Sequence, residues 1–324
     1  MNQNLISKFK FKHLNLILVA MALAYLGYKF NEYHHQNYGK LFIEIFQKGK
    51  GIYFYASIIL IALNYGLEAK KWQILLHPLE KINWLNALKS ILAGITISIF
   101  TPNRTGEVIG KVVYLDLQEK LKAALLNFSG SMAQMICTSL MGLWGTIIYV
   151  NQYSFKTINL PAIHIIYFIA ITCTLVAFLI YFNQQKFFLW LSTKKWAKKV
   201  HINFTHQQQF NSNLQLQVLA LSLLRYLVFS FQLVLLLKFC GIVAPVFPLF
   251  LLCSIFFLVM WFLPSFALTE LGVRGSVAVF LFQNVSENIS GALLAVVLLW
   301  MINVAFPALI GCFYVFNLTG KKTH

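Results

Sequence analysis

Thr101-Pro102-Asn103-Arg104-Thr105-Gly106-Glu107 stands between two apolar runs, residues 87–100 and 108–115. Neither run can cross a bilayer alone, because a spanning helix takes about 20 apolar residues. Proline lacks the backbone N–H and its ring clashes with the preceding turn, so the heptapeptide ends one helix before another starts. A second stretch is built alike. Residues 247–263 are apolar, Pro264-Ser265 interrupts them, Glu270-Leu271-Gly272-Val273-Arg274-Gly275 follows, and residues 276–282 are apolar again. Irregular backbone at membrane depth persists only where it is buried in protein or lines a wet cavity. Regions 84–118 and 246–284 are therefore expected to be two broken, re-entrant helical hairpins.

The rest of the chain supports a membrane setting. Of 324 residues, 59% are hydrophobic and 11% charged, and mean hydropathy is +0.71. A soluble domain carries about a quarter charged residues, so this surface must face lipid. Full spans are expected at 14–30, 51–69, 123–150, 162–182, 216–240 and 289–317. The fold class that follows is an all-α polytopic membrane protein of about six full spans plus the two hairpins. Residues 14–30 follow Lys8, Lys10 and Lys12 in the manner of a signal peptide, but Tyr25-Leu26-Gly27-Tyr28 is a poor cleavage site, so the run reads as a retained span.

The net charge of +17 reports topology. Cytoplasmic loops concentrate Lys and Arg, and aromatic-basic interleaving of an RNA-binding kind is missing, so no nucleic-acid partner is expected. With both termini cytoplasmic, Lys70, Lys71, Lys81, Lys120 and Lys122 fall inside, as do the lysines of the polar linker 183–215 and Lys321-Lys322. Loop 31–50 is the exception. The first hairpin then dips from the cytoplasmic side and the second from the outside. Opposed broken hairpins are the layout of inverted-repeat transporters. The expected division is an N-terminal membrane half, 1–182, the linker 183–215, and a C-terminal half, 216–324. The linker reads either as an interfacial amphipathic helix carrying Trp190 and Trp196 or as a plain tether.

The five cysteines lie in apolar stretches without CxxC spacing and read as small core residues. The eight histidines form no HExxH or similar pattern. No metal and no cofactor is expected, and no ATP-binding motif is present.

Arg104, Arg225 and Arg274 are the only arginines. Arginine keeps its charge when buried and its planar fork takes phosphate or carboxylate bidentately. Two of the three stand at the breaks, beside Glu107 and Glu270. A purely structural reading pairs Arg104 with Glu107 and Glu270 with Arg274 at helix-end spacing. The cost of intramembrane charge favours a functional one. Helix starts near Thr105-Gly106 and after Gly272 would aim free N–H groups at each break, which suits an anion. The candidate binding residues are thus Arg104, Thr105, Gly106, Glu107, Glu270, Gly272 and Arg274, with Pro102 and Pro264 as helix breakers. Arg225 either joins this site or snorkels to the interface beside Tyr226. Glu68 reads as interfacial, next to Lys70 and Lys71. Asn64, Gln134 and Gln232 read as interhelical hydrogen-bonding residues.

Lys71-Trp72-Gln73-Ile74-Leu75-Leu76, the P-x-R-x-G-E motif at Pro102–Glu107 and the L-G-V-R motif at Leu271–Arg274 resemble the lysylphosphatidylglycerol synthase transmembrane family. The resemblance covers about residues 10–317. It implies a bacterial cytoplasmic-membrane protein, flippase-like, moving a phospholipid or a lipid-linked polar group between leaflets. Pro102, Arg104, Gly106 and Glu107 match the first motif, and Gly272 and Arg274 the second. Where members often have a Gly-rich run before L-G-V-R, this chain has Ala267-Leu268-Thr269-Glu270. Where they often have Glu after the Arg, it has Gly275. The sequence ends at His324, so an aminoacyl-transferase domain is not expected within it. Two other functions stay open at this point: an intramembrane transferase acting on a lipid-linked substrate, with Glu107 or Glu270 as general base, and a non-transporting scaffold.

Overall fold

Gly51–Leu76 forms the first described helix, α1, 26 residues of almost unbroken helix-forming and apolar side chains. At 1.5 Å per residue it is about 39 Å long, more than the hydrocarbon thickness of about 30 Å. The structure is a computed structural model. It describes residues 43, 46, 50–99, 101, 105–115, 120–153, 160–192, 212–263 and 267–320, with backbone alone over 160–167, 188–189, 191–192, 267–270 and 316–320. The expected span 14–30 lies outside the described residues.

Ten further α-helices follow. These are α2 (Trp84–Ser98), α3 (Gly106–Leu115), α4 (Lys120–Tyr153), α5 (Leu160–Phe182), α6 (Gln184–Ser192), α7 (Ser212–Phe239), α8 (Val246–Phe262), α9 (Ala267–Phe282), α10 (Ile289–Trp300) and α11 (Phe306–Gly320). A π-helical segment, Met301–Ala305, joins α10 to α11. No strand occurs among the described residues. Four helical stretches there are long and apolar enough to cross a membrane: Gly51–Leu76, Lys120–Tyr153, Ser212–Phe239 and Ile289–Val315. The chain is an all-helical, multi-pass membrane protein.

Both interrupted regions are helix–break–helix. The first helix of the first pair ends at Ser98 and the next begins at Gly106, as the heptapeptide requires. The second break is narrower than expected. α8 ends at Phe262 and α9 starts at Ala267, so Gly272 is inside the helix, where its carbonyl accepts a hydrogen bond from Ser276 Oγ at 3.0 Å. It therefore offers no free helix start. A single proline suffices to end α8, and the Ala-Leu-Thr-Glu run that replaces the Gly-rich one restarts the helix early.

α1 and α7 are the central pair. Asn64 meets Arg225, and Ser57 meets Gln232. Seven residues down one helix are seven residues up the other, so the two run antiparallel. Around them the packing has a twofold character. α2 lies on α1 and on α11, while α8 lies on α7 and on α4. Likewise α3 packs on α4, and α9 on α10. Helices on either side of linker 183–215 are thus interleaved. Its start is helical in α6, and the exposed Trp190 lies on that helix; Trp196 lies outside the described residues.

Small residues set the closest approaches, as expected where lipid supplies no hydrophobic drive between helices. A Cβ on Gly110 of α3 would come within 2.6 Å of Gly94 Cα of α2. A Cβ on Gly145 of α4 would come within 2.9 Å of Ser254 Cβ of α8. Two large apolar cores result, beside a small cluster of Val279, Ile289 and Leu293. One gathers Trp72, Leu75, Ile91, Leu126 and Ile136, and the other Leu233, Leu236, Leu252, Phe256 and Leu299. Among the cysteines, Cys137, Cys240 and Cys253 are buried, but Cys173 is exposed on α5; an apolar neighbourhood in sequence marks a lipid-facing position as readily as a core one.

Candidate functional site

Glu68 is the centre of the charged site. It is buried on α1, which continues past the apolar run to Leu76. Its Oε2 lies 2.7 Å from Lys71 Nζ and 3.0 Å from Arg225 Nη1. Its Oε1 accepts a hydrogen bond from Lys111 Nζ at 3.2 Å. Lys111 also donates to Asn127 Oδ1 at 3.1 Å and pairs with Glu107 at 2.7 Å. Its ammonium lies 5.6 Å from the centre of the Trp72 ring. Three helices therefore deliver three cations and two carboxylates to one point: α1 brings Glu68 and Lys71, α3 brings Glu107 and Lys111, and α7 brings Arg225.

Arg225 belongs to this site. It is residue 14 of the 28 in α7, so either helix end is about 20 Å away, beyond the reach of a snorkelling side chain. Its Nε donates to Asn64 Oδ1 at 2.9 Å and its Nη1 to Gln134 Oε1 at 3.5 Å. Asn64 in turn donates to Asn303 Oδ1 at 3.2 Å, and Asn303 Nδ2 donates to Gln232 Oε1 at 2.9 Å. Gln232 closes the chain by donating to the Ser57 carbonyl at 2.9 Å. Asn64, Gln134 and Gln232 are thus interhelical hydrogen-bonding residues, as their type and place suggest. Asn303 is a further member, seated in the π-helical turn, a feature that recurs at functional positions. Tyr65 Oη donates to the Asn303 carbonyl.

Two hollows meet at the charges. A cavity of about 440 Å³ is lined by Glu68, Lys71, Glu107, Lys111 and Arg225, with Trp72, Phe128 and Trp261 among its aromatic walls. Thr105 and Gln134 also line it. A smaller chamber of about 80 Å³ shares Glu68, Glu107 and Arg225 and adds Asn64, Asn303 and Arg274. The structure therefore brings Thr105, Glu107, Arg225 and Arg274 together. Gly106 starts α3, and its N–H donates to Thr101 Oγ1 at 2.8 Å, so that N–H is spoken for within the protein. Pro102, Arg104 and Pro264 lie outside the described residues. Glu270 lies on α9, with its side chain outside them.

Lys71, Lys111, Glu68 and Asn127 were not candidates from sequence. The signal for Lys111 was present: it stands four residues after Glu107, as Arg274 stands four after Glu270. Both short helices carry a carboxylate and then a cation in the same order, one turn apart. Among the described residues, Glu107 pairs with Lys111.

A family model described as the lysylphosphatidylglycerol synthase TM region matches residues 13–311. The chain belongs to this family. The match takes in both helix–break–helix regions and every residue of the charged site. A search of curated proteins returned no match for the chain. For a member of the lysylphosphatidylglycerol synthase transmembrane family, a cavity lined by charged side chains among helices long and apolar enough to cross a membrane is the feature that asks for a ligand. Five ionised groups in such a place are costly to bury, and mutual pairing offsets only part of that cost.

Proposed function

We propose that the chain moves an anionic phospholipid, or a lipid-linked polar group, between the two leaflets of a bacterial cytoplasmic membrane. The observation that carries this reading is the cavity of about 440 Å³ in which Lys71, Lys111 and Arg225 outnumber Glu68 and Glu107. Its size suits a small ligand or head group, and its charge surplus suits a phosphate.

Glu107 is the movable partner. Its side chain is 33% exposed, against 2% for Lys111. A phosphate entering the cavity takes the place of the Glu107 carboxylate on Lys111 and receives the Arg225 fork beside it. Arg274, from the smaller chamber, meets the head group from the other hairpin, while the acyl tails remain in lipid. The exchange of packing partners between α1–α4 and α7–α11 supports an inverted pseudo-repeat, with re-entrant hairpins approaching from opposite faces and both termini cytoplasmic. Rocking of one half on the other opens the site to each leaflet in turn. On this reading the protein transports and does not modify its lipid, and it takes no cofactor.

Proteoliposomes holding the full chain and a fluorescent phosphatidylglycerol test the reading. Accessibility of the dye to an added quencher reports leaflet transfer. Arg225→Ala and Lys111→Ala are each expected to abolish transfer while the protein still inserts, and Arg104→Ala and Arg274→Ala to do the same. Normal transfer in all of these variants would sink the proposal.

A further inference from the structure

A third hollow lies outside the site just described. It is a groove of about 480 Å³ where the end of α1, the turn after it and the start of α7 meet. Lys70, His77 and Lys81 line it, and all three are exposed. Gln73 and Gln217 add amides, and Ile82 and Leu214, both half-buried, add apolar wall. The groove is braced. Gln73 Nε2 donates to the Ile82 carbonyl at 2.9 Å, which fixes the turn, and Lys70 Nζ donates to Gln73 Oε1 at 3.3 Å. Glu80, exposed on the same turn, is not in its wall.

Lys70 and Lys71 are consecutive, about 100° apart around α1. Lys71 turns inward to Glu68, whereas Lys70 turns outward to the groove. The groove and the larger charged cavity are therefore on different faces of one helix and share no lining residue.

We infer that this groove is a separate binding site for the phosphate of an anionic membrane lipid. Two ammonium groups supply the charge, and an imidazole and two amides supply neutral hydrogen-bonding groups. The apolar wall, at the end of a helix long enough to span, gives the first segment of an acyl chain a place that inorganic phosphate would not need. Lysines near a membrane surface each strengthen anionic-lipid binding about fivefold.

The test uses the full chain in phosphatidylcholine nanodiscs containing phosphatidylglycerol with a photoactivatable head group. Crosslinks are mapped by peptide mass. They are expected on residues 70–82 and 214–217. K70Q/K81Q should lower them about thirtyfold, and K70R/K81R should keep them. Arg225→Gln, which alters the central site, should leave them unchanged, so the groove can fail while the transport reading stands, and the reverse. Unchanged crosslinking in K70Q/K81Q overturns the assignment. So does suppression by inorganic phosphate as effective as that by unlabelled phosphatidylglycerol, since the ligand would then be the free anion.

Discussion

Glu68 Oε2 and Arg225 Nη1 lie 3.0 Å apart, and that contact ties the two antiparallel central helices together at the depth of the cavity. Arg225 sits at the midpoint of α7, and Glu68 simultaneously holds Lys71 and Lys111. One carboxylate thus pairs with cations from three helices. Removing it leaves Lys71 and Arg225 facing each other with no counter-charge between them.

Glu68→Gln keeps the shape and removes that charge. Breaking a buried ion pair from one side costs about 3–5 kcal/mol. The variant is expected to unfold at a clearly lower temperature in detergent than the parent, followed by tryptophan fluorescence. Lys71→Gln in the Glu68→Gln background should recover part of the loss, because it removes one of the stranded cations. An unshifted transition in Glu68→Gln would show that the cluster is hydrated and weakly coupled.

Arg225→Lys tests the fork as opposed to the charge. Separate guanidinium nitrogens reach Asn64 and the Gln134–Glu68 pair. An ammonium is a single point donor group on a flexible stem. The lysine variant is expected to insert and remain folded, yet to transfer lipid at least tenfold more slowly in the quencher assay. Transfer at the parent rate would mean that charge alone suffices at this position.

Much of the architecture was legible because proline and charge inside apolar runs are expensive and therefore informative. Pro102 with its neighbours placed the first break, and the helices resume at Gly106 as the motif implies. Asn64, Gln134 and Gln232 could be read as interhelical because an amide in lipid must find a partner. The charged site was half legible. Arg225, Arg274 and Glu107 announced themselves, but Glu68, Lys71 and Lys111 did not. A hydropathy count penalises Lys70 and Lys71, so span 51–69 closes seven residues before the helix does, and Glu68 then looks interfacial. Lys111 hid inside a run that is otherwise apolar. Only the helical period exposes it: four residues on from Glu107, it lies on the same face. Gly272 misled in the opposite sense, since glycine marks a break only when the helix has not already restarted.

Asn303 should act on Arg225 at second hand. It receives the Asn64 amide, and Asn64 accepts from Arg225. Asn303→Asp preserves the acceptor and Asn303→Leu removes it. If the residue positions the guanidinium, the leucine variant lowers the maximal transfer rate several-fold with little change in the lipid concentration for half-maximal rate. The aspartate variant should restore most of it. A merely structural role would instead lower thermal stability in both variants without separating the two kinetic quantities.

Gly110 and Gly94 decide whether the first hairpin can close. A methyl group on Gly110 meets Gly94 Cα at 2.6 Å and the Ala93 carbonyl at 2.9 Å. Both are backbone, so no rotamer change relieves the clash, and α3 must move away from α2. Overpacking of this kind costs about 1–3 kcal/mol where neighbours can adjust, and more is expected here. Because Lys111 and Glu107 ride on α3, the displacement also pulls both out of register with Glu68. Gly110→Ala is therefore expected to lose leaflet transfer and to melt early. Gly66→Ala is the matched control. Its added methyl meets only Trp84 at 3.7 Å, an ordinary contact, and alanine is the better helix former. That variant should transfer lipid normally and melt no earlier than the parent. If both glycine variants behave alike, the tight α2–α3 approach is not what holds Glu107 and Lys111 at the cavity.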